Sequence, residues 1–328
     1  MAVTARERFR DYMAGKPVDR PPMFESQIPE DTIRAWQSQG LAPEVSPYEH
    51  FGLDERERAP IRASRVDHGT EPVADLRAAR HAAGRYYSDV LKQYPPAWPK
   101  TRESLALSDK VVYADAYPSG FLQEMGVKDS PTLTKVLLGL CDEPGAAELL
   151  MRKYADFLIE VIRNRYRGLQ IEYFFYSEPI AHPRAPVISP VMYRRFVLPH
   201  LARVIHEGRK IGVHEHVLWT AGGVKPLIPL WLEAGINGLW ISHTRASGID
   251  YLELRREFGP RVSLWGGTDN RVLYRGPDAV DAEIARLAPL FSSGRYMAMI
   301  DDTIRPEVPF AAYCHYRRTL DHTACGLP

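Results

Sequence analysis

The chain has 328 residues, 45% of them hydrophobic and 25% charged, with Lys+Arg 42 set against Asp+Glu 41. That length suits one large domain, an α/β barrel included, or two ordinary ones, and the composition excludes a disordered or collagen-like chain. A formal net charge of +1 supplies no long-range field, so neither nucleic acid nor an anionic membrane is expected as a partner.

Thr4 and Glu7 have the spacing of a capping box, and Phe9, Tyr12 and Met13 mark one apolar face, which predicts a helix over 4–14 stopped by Gly15 and Pro17. Extended backbone follows around Pro22, Met23 and Phe24. From 28 to 128, Pro, charged and aromatic residues mix without a sustained period, which reads as irregular structure: short helices and loops over a few strands. Leu150, Tyr154, Phe157, Leu158, Val161 and Ile162 then recur at helical spacing up to Arg167, before Gly168. Beyond them short apolar runs (171–176, 213–218, 238–241, 262–265 and 296–300) alternate with helical patterns (190–207, 224–234, 251–258, 278–290 and 310–321). Strands separated by helices of this length need right-handed crossovers and a parallel sheet.

Polar residues stand at or just beyond the ends of these runs: Ser177 and Glu178, Trp219 and Thr220, His243, Thr268 and Asp269, Asp301 and Asp302. In a single (β/α)8 TIM barrel spanning 1–328 those positions converge on one mouth, where such barrels hold their active sites. Neither GxGxxG nor GxxxxGK[ST] is present, so dinucleotide and P-loop readings have no support. Cys141, Cys314 and Cys325 are odd in number and lack CxxC spacing, and no stretch approaches the ~20 apolar residues of a membrane span. With no signal-peptide pattern at the start, a reducing, cytoplasmic setting is expected.

RERFRDYMAGKPVDRPP at 6–22, ISPVMYRRFVLPHLARVI at 188–205, GGVKPLIPLWLEAGINGL at 222–239, GIDYLELRREFGPRVSLWGGTDNRVL at 248–273 and IRPEVPFAAY at 304–313 together resemble the uroporphyrinogen decarboxylase superfamily. The pattern is nearest the branch of methyltransferases that act with corrinoid proteins. The resemblance implies a single (β/α)8 barrel. True uroporphyrinogen decarboxylases carry Arg-Gln-Ala-Gly-Arg-Tyr after the first strand to hold the acidic side chains of the tetrapyrrole; here the stretch reads PPMFESQIPED, so uroporphyrinogen is not the expected substrate. Zinc-dependent methyltransferases of the family use His-x-Cys and a late Cys. The corresponding positions fall near Trp219 and Ala221 and within 300–303, which supply no thiolate, so the family's zinc site is expected to be absent.

His214-Glu215-His216 lies on an expected strand, where the two imidazoles share one face and Glu215 takes the other. Inward histidines could hold a divalent metal with Glu178, His243 or an aspartate; an inward Glu215 would be a buried carboxylate suited to proton transfer; otherwise the histidines face the helices. The catalytic candidates are Glu178, His214, Glu215, His216, Asp269 and Asp301. Tyr176, Trp219, His243, Arg245, Trp265 and Asp302 are the candidates for substrate binding.

The expected activity is methyl transfer or demethylation of a small substrate, an aromatic one among the candidates, with cobalamin or another corrinoid, free or on a partner protein, as acceptor. A decarboxylase or lyase acting on a small acid or tetrapyrrole-like substrate is the alternative, and a metal-dependent hydrolase built on His214 and His216 is a third. A homodimer is compatible with the sequence.

Overall fold

The computed structural model describes residues 3–59, 71–89 and 98–326. Its centre is a sheet of seven strands: β1 (Arg56–Ala59), β2 (Val111–Tyr117), β3 (Tyr173–Ser177), β4 (Glu215–Ala221), β5 (Gly238–Ser242), β6 (Ser263–Trp265) and β7 (Tyr296–Met297). They lie in sequence order and every neighbouring pair is parallel. Five of the seven are the runs expected from the sequence. The barrel expectation called for eight; the described residues hold seven.

The stretch 22–26 lies between the two edge strands. Asp54 N donates to the Met23 carbonyl just ahead of β1 (2.7 Å). On the other side Ile300 N donates to Glu25 Oε1 (3.0 Å), and Ser26 Oγ donates to the Asp302 carbonyl (2.8 Å), both beyond β7. The buried carboxylate of Asp54 holds the near side in place by accepting from Arg8 (2.5 Å), Arg20 (2.6 Å) and Met23 N (2.8 Å). Glu25, wholly buried, also accepts from the Tyr313 hydroxyl (2.8 Å), which ties the far side to the last helix.

Alternation along each strand sorts side chains into two cores. Tyr173, Val217, Trp265 and Met297 pack together with Phe9 and Phe24 inside the curl of the sheet. Phe174, Tyr176, Leu218 and Leu239 face the helices in the larger apolar layer. Helix Ala5–Met13 closes the N-terminal end: the Phe9 ring lies 5.9 Å from each of Phe24, Tyr173 and Trp265. Its start is a full capping box, Thr4 and Glu7 satisfying each other's backbone N–H. Thr4→Ala should therefore lower unfolding free energy by about 1 kcal/mol, measurable by urea titration.

Two expected helices differ in detail. The pattern over 190–207 splits into Pro190–Phe196 and Leu198–Lys210, because Pro199 has no N–H to continue the ladder. The helix expected to end at Gly168 runs as Gly145–Val161, loosens into a π turn at Ile162–Tyr166, and is followed by Gly168 at φ +74°. The stretch expected to be irregular, 28–128, contains β1 and β2 together with helices that include Glu30–Gln37, Leu76–Asp89 and Trp98–Leu107. Among the described residues no helix is long and apolar enough to cross a membrane.

Candidate active site

A cavity of about 670 Å³ opens within the curl of the sheet, lined by Gln27, Tyr48, Glu55, Arg56, Arg58, Tyr113, Asp115, Pro118, Tyr173, Phe175, Ser177 and Trp240. Alternation places its side chains: Arg56 and Arg58 on β1, Tyr113 and Asp115 on β2, Phe175 and Ser177 on β3 each occupy the inward positions. The floor is aromatic. Trp265 stacks against Phe24 (centroids 5.6 Å apart) and Trp240 (6.3 Å), and the Arg56 guanidinium lies against the Phe24 and Trp240 rings, 5.1 and 5.3 Å from their centroids.

Asp115 is buried and paired with Arg58. Burial pushes its carboxyl above the ordinary carboxylate range, with Arg58 pulling the other way. An acid in that state keeps its proton longer than a free aspartate, while the guanidinium beside it stabilises the carboxylate left after transfer. Tyr113, stacked on Tyr173 at 5.1 Å, flanks the pair.

The uroporphyrinogen decarboxylase (URO-D) family model matches residues 125–316, more than half of the chain. The chain belongs to this family. It is 32% identical over 181 residues to uroporphyrinogen decarboxylase of Pseudomonas fluorescens strain Pf-5, covering 52% of this chain and 46% of that protein. With the Azotobacter vinelandii enzyme the identity is 33% over 181 residues, at 52% and 46% coverage. The chain thus spans about half the length of the curated relatives it matches. Its fold is similar to that of a methyltransferase from Methanosarcina mazei, with a TM-score of 0.62 at 18% identity over 98% of this chain and 99% of that one. The cavity's charged residues, Glu55, Arg56, Arg58 and Asp115, all precede the segment that matches the URO-D model.

Most of the residues singled out from the sequence lie elsewhere. Glu178, just past β3, turns toward the helices: its wholly buried carboxylate accepts from Phe121 N (2.8 Å) and the Tyr193 hydroxyl (3.2 Å), and burial pushes its pKa up to about 8. His216 and Tyr176 also face outward and bond each other, Nδ1 to hydroxyl at 2.9 Å. Burial, helped by Arg209, drives the His216 pKa down to about 3, so its ring is neutral. Glu215 does point inward, but from the N-terminal end of β4. There it pairs with Arg295 (2.7 Å) and, with exposed His214, lines a separate depression of about 420 Å³. Strand alternation and position along the strand together keep this His-Glu-His run out of the cavity.

The rim beyond β4–β7 gathers others. Asp301 is buried and accepts from Thr244 N (3.0 Å) and Oγ1 (2.8 Å), stapling the loops that follow β5 and β7. Asp269 caps a short turn, accepting from Arg271 N (3.1 Å) and Nε (2.8 Å). Asp302 faces His243 (3.8 Å) and Asn270 (3.4 Å), and His243 adopts a positive φ of 56°. Half-buried Trp219 donates to Ser242 Oγ (3.1 Å), Arg245 is exposed in the turn after β5, and Trp265 lies beneath the cavity in its floor.

The residues do not fit a thiolate zinc centre. Cys141 is exposed on helix Ser130–Asp142, and Cys314 and Cys325 belong to helix Phe310–Cys325, away from the strand ends. Among the described residues no three His, Cys, Asp or Glu are grouped to hold a metal ion.

Sequence reasoning misses Arg56, Arg58, Tyr113 and Asp115. The signal is present as alternation: Arg56 and Arg58, then Tyr113 and Asp115, are spaced two apart. In a strand that pattern puts charge on one face, and a charged inward face marks a cavity rather than a core.

Proposed function

We propose that the chain is a methyl-transferring enzyme that removes a methyl group from a small aromatic ether, with a corrinoid as acceptor. The observation that carries this reading is the cavity itself: about 670 Å³, within the range that encloses a small molecule, walled by aromatic rings, with a buried acid on its side. The resemblance of five sequence segments to the corrinoid-linked branch supports the reaction class. The same reading takes 22–26 as the eighth stave of a closed barrel, which would leave the cavity one mouth.

A corrinoid, when bound, would supply the nucleophile that takes the methyl group. What the chain does is bind and protonate. Tyr48, Tyr113, Phe175 and Trp240 hold the ring. The carbon–oxygen bond breaks with its electron pair left on oxygen, and Asp115 delivers the proton that turns that oxygen into a phenol hydroxyl. Without that proton an alkoxide or phenoxide is a poor leaving group. Arg58 then balances the charge on Asp115.

A second reading, decarboxylation of a small acid, is favoured by the names of the curated relatives; there Asp115 would protonate carbon in place of departing carbon dioxide. The experiment incubates the purified chain with methoxybenzenes and methoxybenzoates and reduced cobalamin. Phenol release coupled to a change in the cobalamin spectrum is expected. Release of carbon dioxide without phenol, or no phenol from any donor, overturns the first reading.

A further inference from the structure

We propose that Arg56 is a specificity residue that reads a carboxylate on the substrate, so that the enzyme takes aromatic monocarboxylates with the reactive methyl group at the opposite end. The inference rests on the methyl-transfer reading for the second half of that statement and on geometry for the first.

Among the described residues, each acid of the cavity already has a cation of its own beside it: Asp115 has Arg58, and Glu55 has Lys110. Arg56 has no carboxylate partner among them. Its guanidinium lies against two aromatic rings, one Nη is spent on the Glu25 carbonyl (2.6 Å), and the Tyr173 hydroxyl lies within bonding reach of another N–H, which leaves the rest of the edge for a ligand. Ring contacts engage the flat faces of a guanidinium and leave its N–H edge for an acceptor in the plane. A cation held in this way has its direction set before the ligand arrives, and a carboxylate is the planar acceptor that matches it.

Depth sets the ligand's orientation. Arg56 pairs in register with Val111 and Arg58 with Tyr113, so Asp115 lies four residues beyond the level of Arg56 toward the rim, about 13 Å of strand rise. A substrate anchored by its carboxylate at the floor therefore lays its ring along Tyr113 and Phe175 and presents its far end beside Asp115, where an acceptor outside the mouth can reach it. This orientation disfavours decarboxylation: a carboxylate clasped by Arg56 is stabilised in the ground state and lies remote from the proton donor.

The test is equilibrium binding of 4-methoxybenzoate and of its neutral analogue 4-methoxybenzamide, by calorimetry. The acid should bind on the order of 10- to 100-fold more tightly than the amide. Arg56→Met should erase that preference and Arg56→Lys restore part of it, with circular dichroism showing each variant folded. Equal affinities in the unaltered protein, binding of neither probe, or a preference surviving in folded Arg56→Met overturns the inference. If Arg56→Met does not fold, the comparison in the unaltered protein and in Arg56→Lys still decides. Phenol release from neutral ethers at the same kcat/KM sinks the inference and leaves methyl transfer standing; selective binding of the acid with no methyl transfer does the reverse.

Discussion

Asp115→Asn should lower kcat for phenol release by about 10²- to 10⁴-fold, the range over which a positioned proton donor acts. The substitution keeps the size and planarity of the side chain in the wall of the cavity and removes only the transferable proton, so the affinity for substrate should change little. A fall in kcat with a nearly unchanged KM is the signature of an interaction made only in the transition state. The pH profile supplies a second readout. Proton donation requires the acid form, and burial holds the Asp115 carboxyl above the ordinary carboxylate range despite Arg58. Activity should therefore be highest on the acid side and fall as pH rises through that pKa. The limb should vanish in Asp115→Asn, and Asp115→Glu should keep it, shifted. A kcat within a few-fold of the unaltered enzyme, or an unchanged limb, would remove Asp115 from the chemistry. Arg58→Leu separates the two members of the pair: with the guanidinium gone only burial acts on the carboxyl, so the limb should move to higher pH.

The same contrast between neighbouring residues explains how much of the molecule is legible in its amino-acid sequence. The repeating strands and helices beyond residue 170 are legible because their apolar residues follow two periods, near two for strands and near 3.6 for helices, and because a parallel sheet buries both faces. That legibility fails at β1, whose four residues Arg-Glu-Arg-Ala carry no apolar alternation at all. A strand whose inward side chains line a polar cavity has little core to report, so the part of the chain that builds the site is the part least visible to hydrophobic patterning. The acids near the ends of later strands are visible, yet position in the chain does not give direction. Ser177 turns into the cavity and Glu178, one residue on, turns out of it. The rule that successive side chains alternate holds for His214, Glu215 and His216; which face is inside depends on the closure of the sheet, and that is a property of contacts hundreds of residues apart, such as Tyr12 with Tyr296. Asp301 and Asp269 show a further ambiguity, since a carboxylate beyond a strand serves equally well as a cap for the next turn.

Glu178→Gln should make the protein more stable above pH 8, by on the order of 5 kcal/mol at most, and should flatten the dependence of stability on pH. The native pKa of about 8 stands against an ordinary value of 4.5, so the folded state retains a proton that the unfolded chain releases. The stabilisation linked to that proton is fully present below pH 4.5 and is lost progressively as pH rises to about 8, beyond which the folded protein must hold a buried carboxylate. Glutamine reproduces the hydrogen-bonding capacity of the protonated acid: its carbonyl accepts from Phe121 N, and its amide can donate to the Tyr193 oxygen, which already accepts from Trp231 Nε1 at 2.9 Å. Glu178→Ala gives the opposite result. It leaves Phe121 N without an acceptor and opens a void between β3 and the helix that starts at Phe121, which should cost about 2–4 kcal/mol near pH 5. Urea titrations at pH 5, 7 and 9 on all three proteins decide the matter. Parallel pH slopes for the native chain and Glu178→Gln would mean that Glu178 is ionised in the folded state and that its burial is offset by something other than a retained proton. Curves that run close together at pH 5 and part by pH 9, with Gln the more stable there, are what a neutral carboxyl group anchoring the turn after β2 requires, and because that turn follows directly on the strand that carries Asp115, its loosening at high pH would reach the proton donor through two residues of β2 and Pro118.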